Sequence, residues 1–155
     1  MIACIFDRTQ SDVDRVNELN DKWINQTITE AELEEWRLNL KGALNASDLN
    51  RIESNIKELS GYLNIPVQAR TDWMVTDFPR SADYTRILDN LAKLRSAWAV
   101  LSTTPATPEL PLNTYKKWND IEHIINDLYN VYERTEAALY YCDGELYAGE
   151  ETGVI

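Results

Sequence analysis

Ser47-Asp48-Leu49-Asn50-Arg51-Ile52-Glu53-Ser54-Asn55-Ile56-Lys57-Glu58-Leu59-Ser60-Gly61-Tyr62-Leu63 is the stretch that decides the fold class. Leu49, Ile52, Ile56, Leu59 and Leu63 recur every three or four residues. That period puts them on one face of an α-helix. Ser47 is a cap-type residue at its front. Ile65-Pro66 closes it, because the residue before a proline avoids the α region.

The same grammar extends to both sides. Before it, Ser11 can cap a helix with Asp12 and Asp14 in its first turn, where the helix dipole favours acids. Val13, Val16, Leu19 or Asn20, and Trp23 then form a stripe. Thr29-Glu30-Ala31-Glu32 is a capping box opening a second helix, with Leu33, Trp36 and Leu40 on its apolar face and its end near Gly42 and Asn45. After it, Ser81 can cap a helix carrying Tyr84, Ile87, Leu88, Leu91, Leu94 and Trp98. A last helix over 114–138 carries Tyr115, Trp118, Ile121, Ile124, Ile125, Leu128 and Tyr132. Two connections are irregular. Residues 66–79 hold Trp73, Met74 and Phe78 and are expected to pack across the bundle. Residues 102–113 hold Pro105, Pro108 and Pro111 and read as a stiff extended connector.

The two ends read as β. Residues 2–6 are apolar and partly β-branched, a short strand. Leu139-Tyr140-Tyr141-Cys142, Asp143-Gly144 and Glu145-Leu146-Tyr147-Ala148 read as a hairpin over 139–149, because Asp and Gly tolerate the positive φ of a tight turn. A lone hairpin is marginal in water, and the N-terminal strand is the available third member. Such pairing would bring Cys4 towards Cys142. The expectation is one mainly α domain over 1–155, a bundle of about five helices with a small antiparallel β element. Tyr140, Tyr141, Leu146 and Tyr147 are the candidate protein-interaction residues, because strand side chains alternate and the tyrosines cannot all face inward. The alternative is a hairpin that simply lids the core.

Three helix starts repeat a signature: Asp12-Val13-Asp14-Arg15-Val16, Asp48-Leu49-Asn50-Arg51-Ile52 and Asp83-Tyr84-Thr85-Arg86-Ile87. A fainter copy is Lys117-Trp118-Asn119-Asp120-Ile121. An Asp in the first turn and an Arg three residues on share a face and can pair. Either the signature is a duplicated recognition surface or it is the residue preference of helix caps. A solenoid needs a second helix in every unit, and only the region after Thr29 supplies one, so a bundle is expected.

The 155 residues suffice for a core without disulfide or metal staples. Hydrophobic residues make up 44% and charged residues 26%, a globular rather than disordered composition. The net charge of −11 works against phosphate-backbone binding. It suits solubility or a basic partner. The two cysteines lie far apart and match neither a zinc spacing nor a disulfide framework. They read as free thiols of a reducing compartment. Residues 1–7 lack a basic region and no apolar run approaches membrane-spanning length, so neither a signal peptide nor a membrane span is expected.

Catalytic patterns are sparse. His123, the single histidine, has no second His or Cys near it in sequence for a metal site. There is no nucleophile elbow, no phosphate-cradling glycine loop and no dinucleotide fingerprint. Glu34-Glu35 and Glu150-Glu151 lack the alternating oxygen ligands of a calcium loop. No catalytic, cofactor or metal residue is therefore expected, and no small-molecule substrate.

Three stretches together carry a resemblance. They are Phe6-Asp7-Arg8-Thr9-Gln10-Ser11-Asp12-Val13-Asp14-Arg15-Val16, residues 36–53 from Trp36-Arg37-Leu38-Asn39-Leu40-Lys41-Gly42 onward, and Tyr140-Tyr141-Cys142-Asp143-Gly144-Glu145-Leu146-Tyr147-Ala148-Gly149-Glu150. The chain resembles small proteins encoded among the tail and baseplate genes of phages and prophages of Gram-positive, often gut, bacteria. The resemblance implies a non-enzymatic structural or assembly role exercised through protein–protein contacts. The implied partners are other tail or baseplate proteins or further copies of the chain, with no nucleic acid and no membrane. The implied location is the host cytoplasm during assembly and then the virion. The alternative is an acidic interaction or decoy protein that occupies a basic host site, which requires the acids to cluster on one face.

Overall fold

The computed structural model describes residues 2–143, and only the backbone of 140–143. Five helices follow one another: α1 Gln10–Ile24, α2 Glu30–Arg37, α3 Ala46–Leu63, α4 Ser81–Ala97 and α5 Tyr115–Asp143. Helices α3, α4 and α5 pack on one another, whereas α1 packs on α2.

The expected stripes build the core. Leu49, Ile52, Ile56 and Leu59 of α3 meet Ile87, Leu88, Leu91 and Leu94 of α4 and Trp118, Ile121, Ile124, Ile125 and Leu128 of α5. Most of these are fully buried. Removing one leucine here to alanine typically costs about 2–5 kcal/mol, lost transfer energy plus a cavity. The α1–α2 hairpin has a smaller centre in Leu19, which is fully buried outside that cluster.

The helix starts obey one rule, shifted from the expected caps. The caps are Thr9, Thr29, Asn45 and Arg80 rather than Ser11, Ser47 and Ser81 for the three signature helices. In each of the helices α1 to α4 the third residue carries a carboxylate that accepts the cap's own N–H: Asp12 from Thr9 at 2.7 Å, Glu32 from Thr29 at 3.0 Å, Asp48 from Asn45 at 3.0 Å and Asp83 from Arg80 at 2.9 Å. The carboxylate therefore selects the start, and the serines fall inside the first turn. Helix α2 stops at Arg37, short of the expected Gly42, since Leu38 already has extended φ and ψ.

The expected β element is not formed. Among the described residues there is no strand, and α5 runs on through Tyr140, Tyr141 and Cys142 to Asp143. Leu146 and Tyr147, with the rest of the expected hairpin, lie outside the described residues. Two physical reasons favour helix over strand at 139–143. No glycine or proline interrupts the chain between Thr114 and Asp143, so the helix has no breaker. The strand's intended partner is also committed elsewhere: residues 2–8 form neither helix nor strand, and their main chain is hydrogen-bonded to side chains of α3 and α5. No neighbouring strand can then use those groups. The connection 66–79 packs only in part. Trp73 is buried as expected, but Met74 and Phe78 stand out into solvent.

Candidate functional site: two clamped segments and an apolar loop

The repeated Asp and Arg signature builds two equivalent polar clamps. In the first, segment 2–8 lies between α3 and α5. Asn55 of α3 donates to the Ala3 carbonyl at 2.7 Å. Glu122 of α5 accepts the Ile5 N–H at 2.7 Å. Asn119 brackets the Arg8 main chain, accepting its N–H at 3.2 Å and donating to its carbonyl at 2.9 Å. Arg51, the signature arginine of α3, pairs back to Asp48 at 2.6 Å and across to Glu122 at 2.8 Å. The Arg8 guanidinium completes the cluster on Asp48 and Glu122.

In the second, segment 67–73 lies between α4 and α3. Asn90 of α4 donates to the Gln68 carbonyl at 2.6 Å. Glu53 of α3 accepts the Arg70 N–H at 2.7 Å. Asn50 brackets the Trp73 main chain, with bonds of 2.7 and 2.9 Å. Arg86, the signature arginine of α4, pairs back to Asp83 at 2.7 Å and across to Glu53 at 2.8 Å. The Trp73 indole N–H takes the place of the Arg8 guanidinium, donating to Glu53 at 2.9 Å. Ala3, Ile5 and Arg8 thus correspond to Gln68, Arg70 and Trp73 at the same spacing. Asn55 corresponds to Asn90, and Asn119 with Glu122 to Asn50 with Glu53. The first signature does not follow. Arg15 leaves Asp12 and binds Glu18 and Glu35 instead.

The electrostatics follow from burial. Glu53 and Glu122 have no exposed surface, and a buried charge is tolerable only when paired and hydrogen-bonded. Burial acts to lower the pKa of Arg51, but Glu122 and Asp48 outweigh it and hold the guanidinium above its ordinary value. Hydrogen bonding to Glu53 raises Arg86 in the same way. Cys4 sits on the first segment, its Sγ 3.6 Å from Asn55. Burial, then the Glu122 charge, pushes its thiol up to about 12. A thiol so placed is a poor nucleophile at neutral pH.

The expected interaction residues lie apart from these clamps in chain position. Tyr140 and Tyr141 belong to the last turns of α5. Whether Cys4 meets Cys142 lies outside the described side chains. His123 stacks on Phe6 with ring centroids 5.0 Å apart. Its Nε2 is 3.5 Å from Asp127, which accepts from Thr104 at 2.7 Å. The carboxylate stands between hydroxyl and imidazole, so the His does not activate the hydroxyl as a base would. Among the described residues no three His, Cys, Asp or Glu side chains gather to hold a metal ion, and no helix is long and apolar enough to cross a membrane.

The loop 74–78 departs from its expected packing, because Met74 and Phe78 are exposed rather than laid across the bundle. Val75 is 93% exposed and Phe78 88% exposed. The loop is held nonetheless. Asp77 accepts the Met74 N–H at 2.9 Å and the Arg70 guanidinium at 2.6 Å, and Arg70 lies over the Trp73 ring at 4.0 Å. A cleft of about 410 Å³ runs under the loop, between Leu44, Leu49, Trp73, Phe78 and Tyr84. The sequence signal for the clamps was polar residues adjoining the apolar stripe, as in Ile52-Glu53 and Ile121-Glu122. The loop offered no comparable signal. No family model matches the chain, and no curated protein and no solved structure matches it.

Proposed function

We infer that the protein is a structural or assembly component of a phage or prophage tail or baseplate, acting through protein–protein contacts rather than by catalysis. The observation that carries this reading is the apolar loop Met74, Val75 and Phe78, exposed yet tied to the bundle by Asp77, Arg70 and Trp73. Exposed apolar groups that are already ordered bind a partner without a large ordering cost. The adjoining cleft offers an apolar floor beside them. The sequence resemblance supplies the setting.

The test is mass spectrometry of particles purified from a host carrying the gene, beside particles from a host carrying Val75→Asp with Phe78→Asp. The wild-type chain is expected in the particles in fixed proportion to the tail proteins. The variant, folded by circular dichroism, is expected to be missing. Particles lacking the wild-type chain overturn the reading, and so does undiminished incorporation of the variant.

A further inference from the structure

The clamp between α3 and α5 is incomplete without a segment that α3, α4 and α5 do not themselves supply. Asp48 and Glu122 face Arg51 there, two buried acids against one base. Arg8 brings the second base, at 3.2 Å from Asp48 and 2.9 Å from Glu122. The remaining clamp contacts reach main chain: Asn55 to the Ala3 carbonyl, Glu122 to the Ile5 N–H and Asn119 to both main-chain groups of Arg8. The matching clamp between α4 and α3 holds Gln68, Arg70 and Trp73 in the same way, although that segment shares no side chains with the first at those positions. The groove therefore selects main-chain groups at this spacing plus one donor side chain, and the same groups are present in every copy of the chain.

Helices α1 and α2 form a hairpin with its own internal ties, and Thr9, the cap of α1, joins segment 2–8 directly to it. Leu19 is buried inside it. Arg15 binds Glu35, Lys22 binds Glu32, the Trp36 indole donates to Asn20, and Trp23 stacks on Trp36. Residues 38–45 join it to α3 without helix or strand. Leu38 is already extended, and Gly42 lies against the Asp12 carbonyl where no side chain fits. Straightened, this link reaches about 27 Å at roughly 3.3–3.6 Å per residue.

We propose that residues 2–37 exchange between two copies about the link 38–45, each copy's Arg8 segment filling the α3–α5 groove of the other. The contacts made within one chain are remade between two, giving a reciprocal dimer by exchange of an identical element. The inference rests on the protein-contact reading and names its partner as a second copy of this chain.

The test uses full-length chains carrying Cys142→Ser, checked for folding by circular dichroism. One chain carries Asn55→Cys with Cys4→Ser; the other keeps Cys4 and Asn55. Asn55 of the groove lies 3.6 Å from the Cys4 sulfur of the segment, so a disulfide from Cys4 to the thiol placed at position 55 joins the two chains only when the segment of one fills the groove of the other. The two are mixed at high concentration, oxidised with copper phenanthroline and mapped by mass spectrometry. A covalent dimer held by that disulfide is expected; its absence overturns the exchange. Independently, deleting Lys41, Gly42 and Ala43 from the wild-type chain shortens the link and is expected to give a dimer by light scattering; a monomer overturns the proposal. A chain that is monomeric in both tests yet present in purified particles removes the exchange and leaves the structural role standing.

Discussion

Glu122→Gln is the substitution that bears hardest on the buried clamp. The carboxylate takes the Ile5 N–H at 2.7 Å, Arg8 at 2.9 Å and Arg51 at 3.0 and 2.8 Å, with no surface exposed to water. Glutamine keeps the shape and one acceptor oxygen. It removes the charge and turns an amide donor towards guanidinium groups that are donors themselves. Arg8 and Arg51 are left to share Asp48. Removing one partner of a buried ion cluster costs about 3–5 kcal/mol. The retained oxygen places this change at the lower end, about 3 kcal/mol. With a urea slope of about 2 kcal/mol per molar, the unfolding midpoint falls by roughly 1.5 M. Glu58→Gln is the control. Among the described residues Glu58 binds only the exposed Tyr62 hydroxyl, so its effect stays within about 0.5 kcal/mol. Equilibrium urea unfolding of the three proteins gives the comparison. A loss below about 1 kcal/mol for Glu122→Gln would mean instead that the carboxylate is solvated and that the two arginines do not depend on it.

Three further outcomes follow from the geometry. Cys4, held up to about 12, alkylates at pH 8.5 at least tenfold more slowly than in the urea-unfolded chain, with peptide mapping separating it from Cys142. Its folded pKa lies above the unfolded one, so its contribution to stability is intact below about pH 9 and is lost as pH rises towards about 12. Glu32 has the opposite sign. Hydrogen bonding to Lys22, then to the Thr29 main chain and hydroxyl, lowers it to about 2 from 4.5. The α1–α2 hairpin therefore keeps this support above about pH 4.5 and loses it as pH falls towards 2, visible in the Trp23 and Trp36 indole resonances and absent in Glu32→Gln. Gly42→Ala forces a Cβ onto the Asp12 carbonyl and costs about 1–3 kcal/mol by overpacking, read as a lowered melting temperature.

Much of the helical frame was legible, because it rests on periodicity. Leu49, Ile52, Ile56 and Leu59, or Ile121, Ile124, Ile125 and Leu128, recur at a spacing that only a helix places on one side. The Asp and Arg signature was legible as a local pattern, but its reach was not. That Arg51 finds Glu122 and Arg86 finds Glu53 depends on which helices become neighbours. The ends misled for a related reason. An apolar, β-branched run such as residues 2–6 has the composition of a strand whether its main chain bonds to another strand or to Asn and Glu side chains. Here the side chains take it, and Tyr140 and Tyr141 continue the helix. Met74 and Phe78 of the exposed loop were expected to be covered, and composition alone does not distinguish an apolar residue that packs from one that presents itself.

Amide hydrogen exchange across residues 3–8 and 68–73, read residue by residue by NMR, decides whether the side-chain clamps hold these segments. Neither segment is a helix or a strand, so protection there comes from the side-chain clamps alone. Slow exchange is expected at Ile5 and Arg8 and at their counterparts Arg70 and Trp73, whose N–H groups bind Glu122, Asn119, Glu53 and Asn50. Fast exchange is expected at the exposed positions between them, Phe6, Thr71 and Asp72. Uniform fast exchange through both segments would contradict the clamps, and alternating protection in residues 3–6 matched by a partner strand would restore the β pairing in their place.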